Sequence, residues 1–140
     1  MKTIVLISCV SKKLNYKAKA QDLYISPLFK KNLQYSRSLN PDKIFILSAK
    51  YGLLDLDKEI EPYNKTLNNM TSNEIKLWVD SVLNQLKLVS NLNEDEFIFL
   101  AGNNYRKYLI NHIKNFKIPM YGLKIGEQLK FLIKNTNKNY

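Results

Sequence analysis

Four short and almost unbroken apolar runs, residues 3–8, 43–48, 96–101 and 118–123, recur along the chain with helix-patterned segments between them. Their Ile, Val, Leu and Phe content lacks strict alternation. That is the pattern of strands covered on both faces, not of a half-exposed antiparallel sheet. Strands alternating with helices join in parallel through right-handed crossovers. The expected fold is therefore α/β: one three-layer domain with a short, mainly parallel sheet of about four strands flanked by helices. Ligands of such sheets bind outside the carboxyl ends of the strands, so the loops after the four runs become the segments to compare.

The helical patterns have recognisable starts. Ser26-Pro27 supplies an N-cap and a first-turn proline for a helix to about Leu39, with Leu28, Phe29 and Leu33 inward and Pro41 barring continuation. Thr71 and Glu74 form a capping-box pair before Ile75, Trp78, Val79, Val82, Leu83, Leu86 and Val89, a wide stripe at three- and four-residue steps. A third helix is expected over residues 104–115, burying Tyr105, Leu109, His112 and Ile113. A fourth follows Gly126 and buries Leu129, Leu132 and Ile133. Residues 1–134 make one domain and 135–140 a frayed tail.

At 140 residues with 45% hydrophobic content and only 4 Gly and 4 Pro, the chain has the composition of an ordinary globular domain. Its single cysteine, Cys9, excludes an intramolecular disulfide and suits a reducing cytoplasm, where the protein is expected. Residues 1–9 superficially copy a lipoprotein signal, but five apolar residues fall short of the roughly 7–15 of a signal core. No run approaches the roughly 20 apolar residues of a membrane span, so no membrane partner is expected. The 22 Lys and Arg against 12 Asp and Glu give a net charge of +10, which favours a phosphate-bearing partner, nucleic acid or nucleotide. Only Arg37 and Arg106 are arginines, and a lysine-rich surface also arises from genome base composition.

Small residues open every candidate loop: Ser8, Cys9, Ser11 and Lys12 after the first run; Ser48, Lys50, Tyr51 and Gly52 after the second; Ala101, Gly102, Asn103, Asn104 and Tyr105 after the third; Gly122 to Glu127 after the fourth. Small side chains let a ligand approach backbone N–H groups, and helix N-termini after the third and fourth runs suit an anion. Neither Gly-x-x-x-x-Gly-Lys-Ser/Thr nor Gly-x-Gly-x-x-Gly occurs, which removes the fingerprints of ATP hydrolysis and dinucleotide redox chemistry. No cofactor and no metal is expected, because His112 is the sole histidine and falls on an apolar helix stripe. Cys9 reads more simply as a small buried strand-end residue than as a nucleophile. Lys12 and Lys50 are candidate phosphate contacts, against the ordinary role of solvated lysines. Tyr51 and Tyr63 are candidates to stack on a base or donate a hydrogen bond, against the ordinary role of capping the core. Asp55, Glu59 and Glu61 are the carboxylates near these loops, and solvated loop charges unless one serves as an acid or base.

The residues Ser11-Lys12, Leu47-Ser48-Ala49-Lys50-Tyr51-Gly52-Leu53-Leu54-Asp55 and Pro62-Tyr63-Asn64-Lys65-Thr66-Leu67 carry a resemblance. With Tyr24, Leu28, Phe29, Ala101, Gly102 and Tyr105 they make the chain similar to a family of small bacterial and phage proteins of unknown function. The architecture is in turn similar to the uracil-DNA-glycosylase-like group, in which a compact parallel sheet presents a base pocket at its strand ends. That resemblance implies an N-glycosidase-like enzyme acting on a modified or damaged base, or on a related nucleoside. Asp55 or Glu61, with Tyr63, would be its catalytic groups. Ser11, Lys50 and Gly102 would support the departing base, and Tyr51 or Tyr105 would stack on it. Asn64 departs from an Asp frequent in that pattern and cannot act as a base. The rival readings are a non-catalytic nucleic-acid-binding or nucleotide-binding protein, and a phage or host factor that sequesters a small nucleotide signal.

Overall fold

The computed structural model describes residues 1–8 and 12–136. Cys9 and Ser11 lie outside the described residues, as do positions 137–140. In chain order the elements are β1 (Thr3–Ser8), β2 (Ala18–Lys19), α1 (Ala20–Leu23), α2 (Pro27–Ser38), β3 (Lys43–Ser48), β4 (Gly52–Asp55), β5 (Glu59–Ile60), α3 (Ser72–Val89), β6 (Glu96–Leu100), α4 (Asn103–Arg106), β7 (Asn115–Lys117) and α5 (Ile125–Thr136). Single 3-10 turns occupy Leu67–Asn69 and Ile110–His112.

The sheet is ordered β4-β3-β1-β6-β7, and β1, the most buried strand, lies at its centre. It pairs in parallel with β3, Ser8 opposite Leu47, and with β6, Ile7 opposite Leu100. Helices cover both faces: α3 lies against β4, while α2 packs on β1 and on α5. Ile4, Val5, Leu6 and Ile7 are fully buried, as two-sided coverage of an unbroken apolar strand requires. The two expected helix starts form as read. Ser26 Oγ accepts from Phe29 N at 3.1 Å, and Thr71 and Glu74 exchange both bonds of a capping box.

Several features depart from the sequence expectation. The fourth parallel strand is Asn115–Lys117 and not residues 118–123. Pro119 has no N–H to extend a ladder, and residues 118–123 instead form successive turns, with Tyr121 N donating to Ile118 O and Leu123 N to Met120 O. The helix expected over 104–115 is one turn, α4, followed by the 3-10 turn. Because β7 begins at Asn115, the chain must become extended by Ile113. The tighter winding keeps Tyr105, Leu109 and Ile113 buried but turns His112 outward. The fifth strand, β4, returns antiparallel along β3, so that residues 49–51 after Ser48 make the turn between the two strands. A two-residue ribbon, β2 with β5, lies apart from this sheet. At the far end α5 continues through Thr136 and so includes Asn135 and Thr136; Leu132 is its buried residue, while Ile133 is exposed.

Candidate functional site

The carboxyl ends of β1, β3 and β6 form one rim, where two groups of side chains meet. The first is a hydroxyl cluster above β3. Ser48 is fully buried, and its Oγ accepts from the backbone N–H of Lys50 at 3.3 Å and of Tyr51 at 3.1 Å, closing the turn into β4. The same hydroxyl donates to Tyr63 Oη at 2.8 Å, and Tyr63 shares a 2.6 Å hydrogen bond with the buried Tyr24 hydroxyl. Tyr51 packs edge-on against Tyr63 at 5.6 Å between centroids. The Lys13 ammonium lies 4.6 Å from the centre of the Tyr63 ring, and that of Lys50 lies 5.2 Å from the Tyr51 ring.

The second group surrounds a cavity of about 650 Å³ over the ends of β1 and β6. Ser8 and Phe99 to Leu100 form its floor; Leu28 and Asn32 of α2 and Ile125 and Gln128 of α5 form one wall. Gly102 to Arg106, with Asn68 and the turn around Met120 to Leu123, close the rest. Much of its polar lining is already tied. Gly102 N donates to Ser8 Oγ at 3.2 Å, Asn104 Nδ2 donates to Asn68 Oδ1, Arg106 Nη1 donates to Ala101 O at 2.7 Å, and Gln128 Nε2 donates to Leu123 O at 2.9 Å. Trp78 links the two groups: its Nε1–H donates to Ser48 O at 2.8 Å, and its ring meets Tyr105 edge-on at 5.8 Å.

The candidate residues therefore divide. Ser8, Gly102, Asn103 and Tyr105 line the cavity, and Ser48, Lys50, Tyr51 and Tyr63 belong to the neighbouring hydroxyl cluster. Gly52 sits at the turn with φ +73° and begins β4. Asp55 is not brought to the rim. Antiparallel pairing sets it opposite Phe45, three residues down β3 from Ser48, or about 10 Å along the strand. Glu61 and Asn64 are exposed and do not line the cavity. Lys12 is exposed, and its carbonyl accepts from Ile25 N at 3.0 Å. Glu127 has a structural partner, its Oε1 accepting from Lys124 N at 3.0 Å at the head of α5.

Sequence reasoning missed Asn32, Asn68 and Arg106. Asn32 had a readable signal: it shares the inward stripe of α2 with Phe29, Leu33 and Ser36, and a polar amide on an apolar stripe needs a reason. Asn68 carries no such mark, since its contact with Asn104 joins segments 36 residues apart. Among the described residues no three His, Cys, Asp or Glu side chains cluster as metal ligands. Nor is any described helix long and apolar enough to cross a membrane.

A model of one protein family, DUF6884, described as a family of unknown function, matches residues 4–134. The chain belongs to that family. The match spans β1 through most of α5, so hydroxyl cluster and cavity both fall inside the family domain. No curated protein matches the chain.

Proposed function

We propose that this protein binds a nucleobase-bearing ligand, a nucleotide or an unpaired base of a nucleic acid, in the rim cavity and without cleaving it. The observation that carries this reading is the character of the cavity wall. About 650 Å³ is within the usual range of small-molecule sites. It is lined by amides, a hydroxyl, the Arg106 guanidinium and the Tyr105 ring, with no Asp or Glu among its lining residues. Amides pair with the donor and acceptor edges of a base, and aromatic faces and edges pack against its plane. The net charge of +10 draws a phosphate-bearing molecule toward such a site.

An N-glycosidase of the uracil-DNA-glycosylase-like kind would need a carboxylate or a held water beside the sugar. Asp55, paired opposite Phe45, lies well down β3, and neither it nor Glu61 lines the cavity. Binding without cleavage follows more directly from these residues.

The test uses the sole tryptophan. Trp78 touches Tyr105, a lining residue, so nucleosides, mononucleotides or single-stranded oligonucleotides entering the cavity should alter its emission saturably. The same samples, analysed by chromatography for free base, should yield none. No response to any of the three classes would overturn the binding reading. Release of base from a nucleoside or a damaged oligonucleotide would replace it with the N-glycosidase. If phosphates contribute, affinity for the oligonucleotide should fall with salt far more steeply than affinity for a nucleoside.

A further inference from the structure

The rim cavity opens to solvent beside the turn around Met120 to Leu123. Ile125 lines it and is nevertheless 65% exposed, and the lining residues Gly102, Asn103 and Gly122 are exposed as well. Tyr121, between the lining residues Met120 and Gly122, is 73% exposed. Its ring is held from the cavity side by Arg106, whose guanidinium carbon lies 5.7 Å from the ring centre while Nη1 donates to Ala101 O. No other ring packs against Tyr121 among the described residues. An exposed ring is ordinary by itself. One fixed by a cation at the lip of a cavity is a stacking surface. The same part of the chain is one-signed: no carboxylate occurs between Glu96 and Glu127, while Arg106, Lys107, Lys114, Lys117 and Lys124 do. Lys117 pairs with Glu96 at 3.2 Å, whereas Lys107 and Lys124, next in sequence to lining residues, are exposed and without an ion pair among the described residues.

We infer that the ligand is a single-stranded nucleic acid and not a free mononucleotide: one base enters the cavity, Tyr121 stacks on the base next to it, and Lys107 and Lys124 take phosphates of the strand. This rests on the nucleobase-binding reading above. A mononucleotide has no second base to lay on the ring, and a duplex keeps its bases stacked on one another. A single strand supplies both an unpaired base for the cavity and a neighbour whose face is free. Stacking tolerates any base, because every base has a flat face, and lysines that track a backbone read charge and not sequence. An acidic peptide would answer the charge but leave the base cavity without its ligand.

Calorimetric titration of the full chain compares each 5′-mononucleotide with the dinucleotide of the same base carrying the same 5′-phosphate. The two registers of a dinucleotide account for about twofold, and stacking on Tyr121 should add roughly fivefold to hundredfold for the base that binds. Tyr121→Ala should collapse that gain, whereas Tyr121→Phe, which keeps the ring, should retain it. The side chain is exposed in a turn, so neither change empties the core. On a single-stranded octanucleotide, Lys107→Ala and Lys124→Ala should each flatten the salt dependence of binding, while the same change at Lys43, exposed at the amino end of β3, should not. A dinucleotide bound no more tightly than its mononucleotide, a gain that survives Tyr121→Ala, or wild-type salt dependence in both lysine variants would overturn the strand-binding surface while leaving the base site. Duplex DNA or polyglutamate binding as tightly as the octanucleotide would overturn it equally. Binding of no nucleoside, nucleotide or oligonucleotide would overturn both readings.

Discussion

Gly52 is the position where a single methyl group should do most harm for its size. Its φ of +73° lies in the left-handed region, and a Cβ built on it would stand 2.5 Å from Gln85 Oε1. An L-residue in that backbone costs about 1–2 kcal/mol. The second cost comes through Gln85, whose Oε1 accepts from Leu53 N at 2.9 Å and ties α3 to β4. Displacing that oxygen forfeits a hydrogen bond worth about 1 kcal/mol. The sum for Gly52→Ala is about 2–3 kcal/mol. At about 2.1 cal/mol/K per residue, 140 residues lose about 7–10 °C in Tm. Gly122 provides the control, since its φ is +79° but nothing lies within 4 Å of a Cβ there. Gly122→Ala should cost the backbone share alone, about 1–2 kcal/mol. Urea unfolding followed by circular dichroism measures both variants. If Gly52→Ala costs no more than Gly122→Ala, the Gln85 contact does not constrain the β3–β4 turn; if Gly52→Ala is neutral, the turn geometry itself is refuted.

Ser48→Ala removes the acceptor for two backbone N–H groups and the donor to Tyr63, and should destabilise by about 2 kcal/mol in urea. Ser48 does not line the cavity, so nucleoside affinity of the folded variant should change less than threefold; a larger loss would mean that cavity and hydroxyl cluster act as one site. Thr71→Ala breaks the capping box of α3 and should lower Tm by roughly 3–5 °C in a calorimetric scan. Asp95 accepts from Asn91 N and from Lys2 N, both at 2.8 Å, and these bonds, with that from Asn91 foremost, hold its carboxyl below the usual range. Its contribution is fully present above the unfolded value of about 4 and is lost as pH falls through the lowered folded value. The stability gap between wild type and Asp95→Asn should therefore be constant from pH 7 to 5 and narrow below about pH 4. A gap that widens with acid would contradict the assigned bonds.

How much of this protein could be read from residues depends on how local the cause was. β1, β3 and β6 were legible because a strand covered on both faces needs an unbroken apolar run, and each supplies one. The starts of α2 and α3 were legible because a cap is written within four residues. The antiparallel return of β4 was not, since residues 52–55 become a strand only by pairing with β3. That return also separates Asp55 from the loops with which its sequence neighbours associate it. The edge strand β7 was hidden for a related reason: its Asn115, Phe116 and Lys117 are all exposed, so no burial pattern marked them.

Periodicity and capping chemistry, which act between residues a few positions apart, determined the α/β class, the alternation of strand and helix, and the carboxyl rim as the place to look. The tertiary structure alone decided which rim residues share a wall. Asn104 meets Asn68, Gly102 meets Ser8, and Asn32 faces the cavity, through contacts spanning 36 and 94 positions in the first two cases and helix placement in the third. Hydrogen bonds and burial of that range depend on where the sheet order carries each segment, and strand order is not encoded in any single stretch of chain.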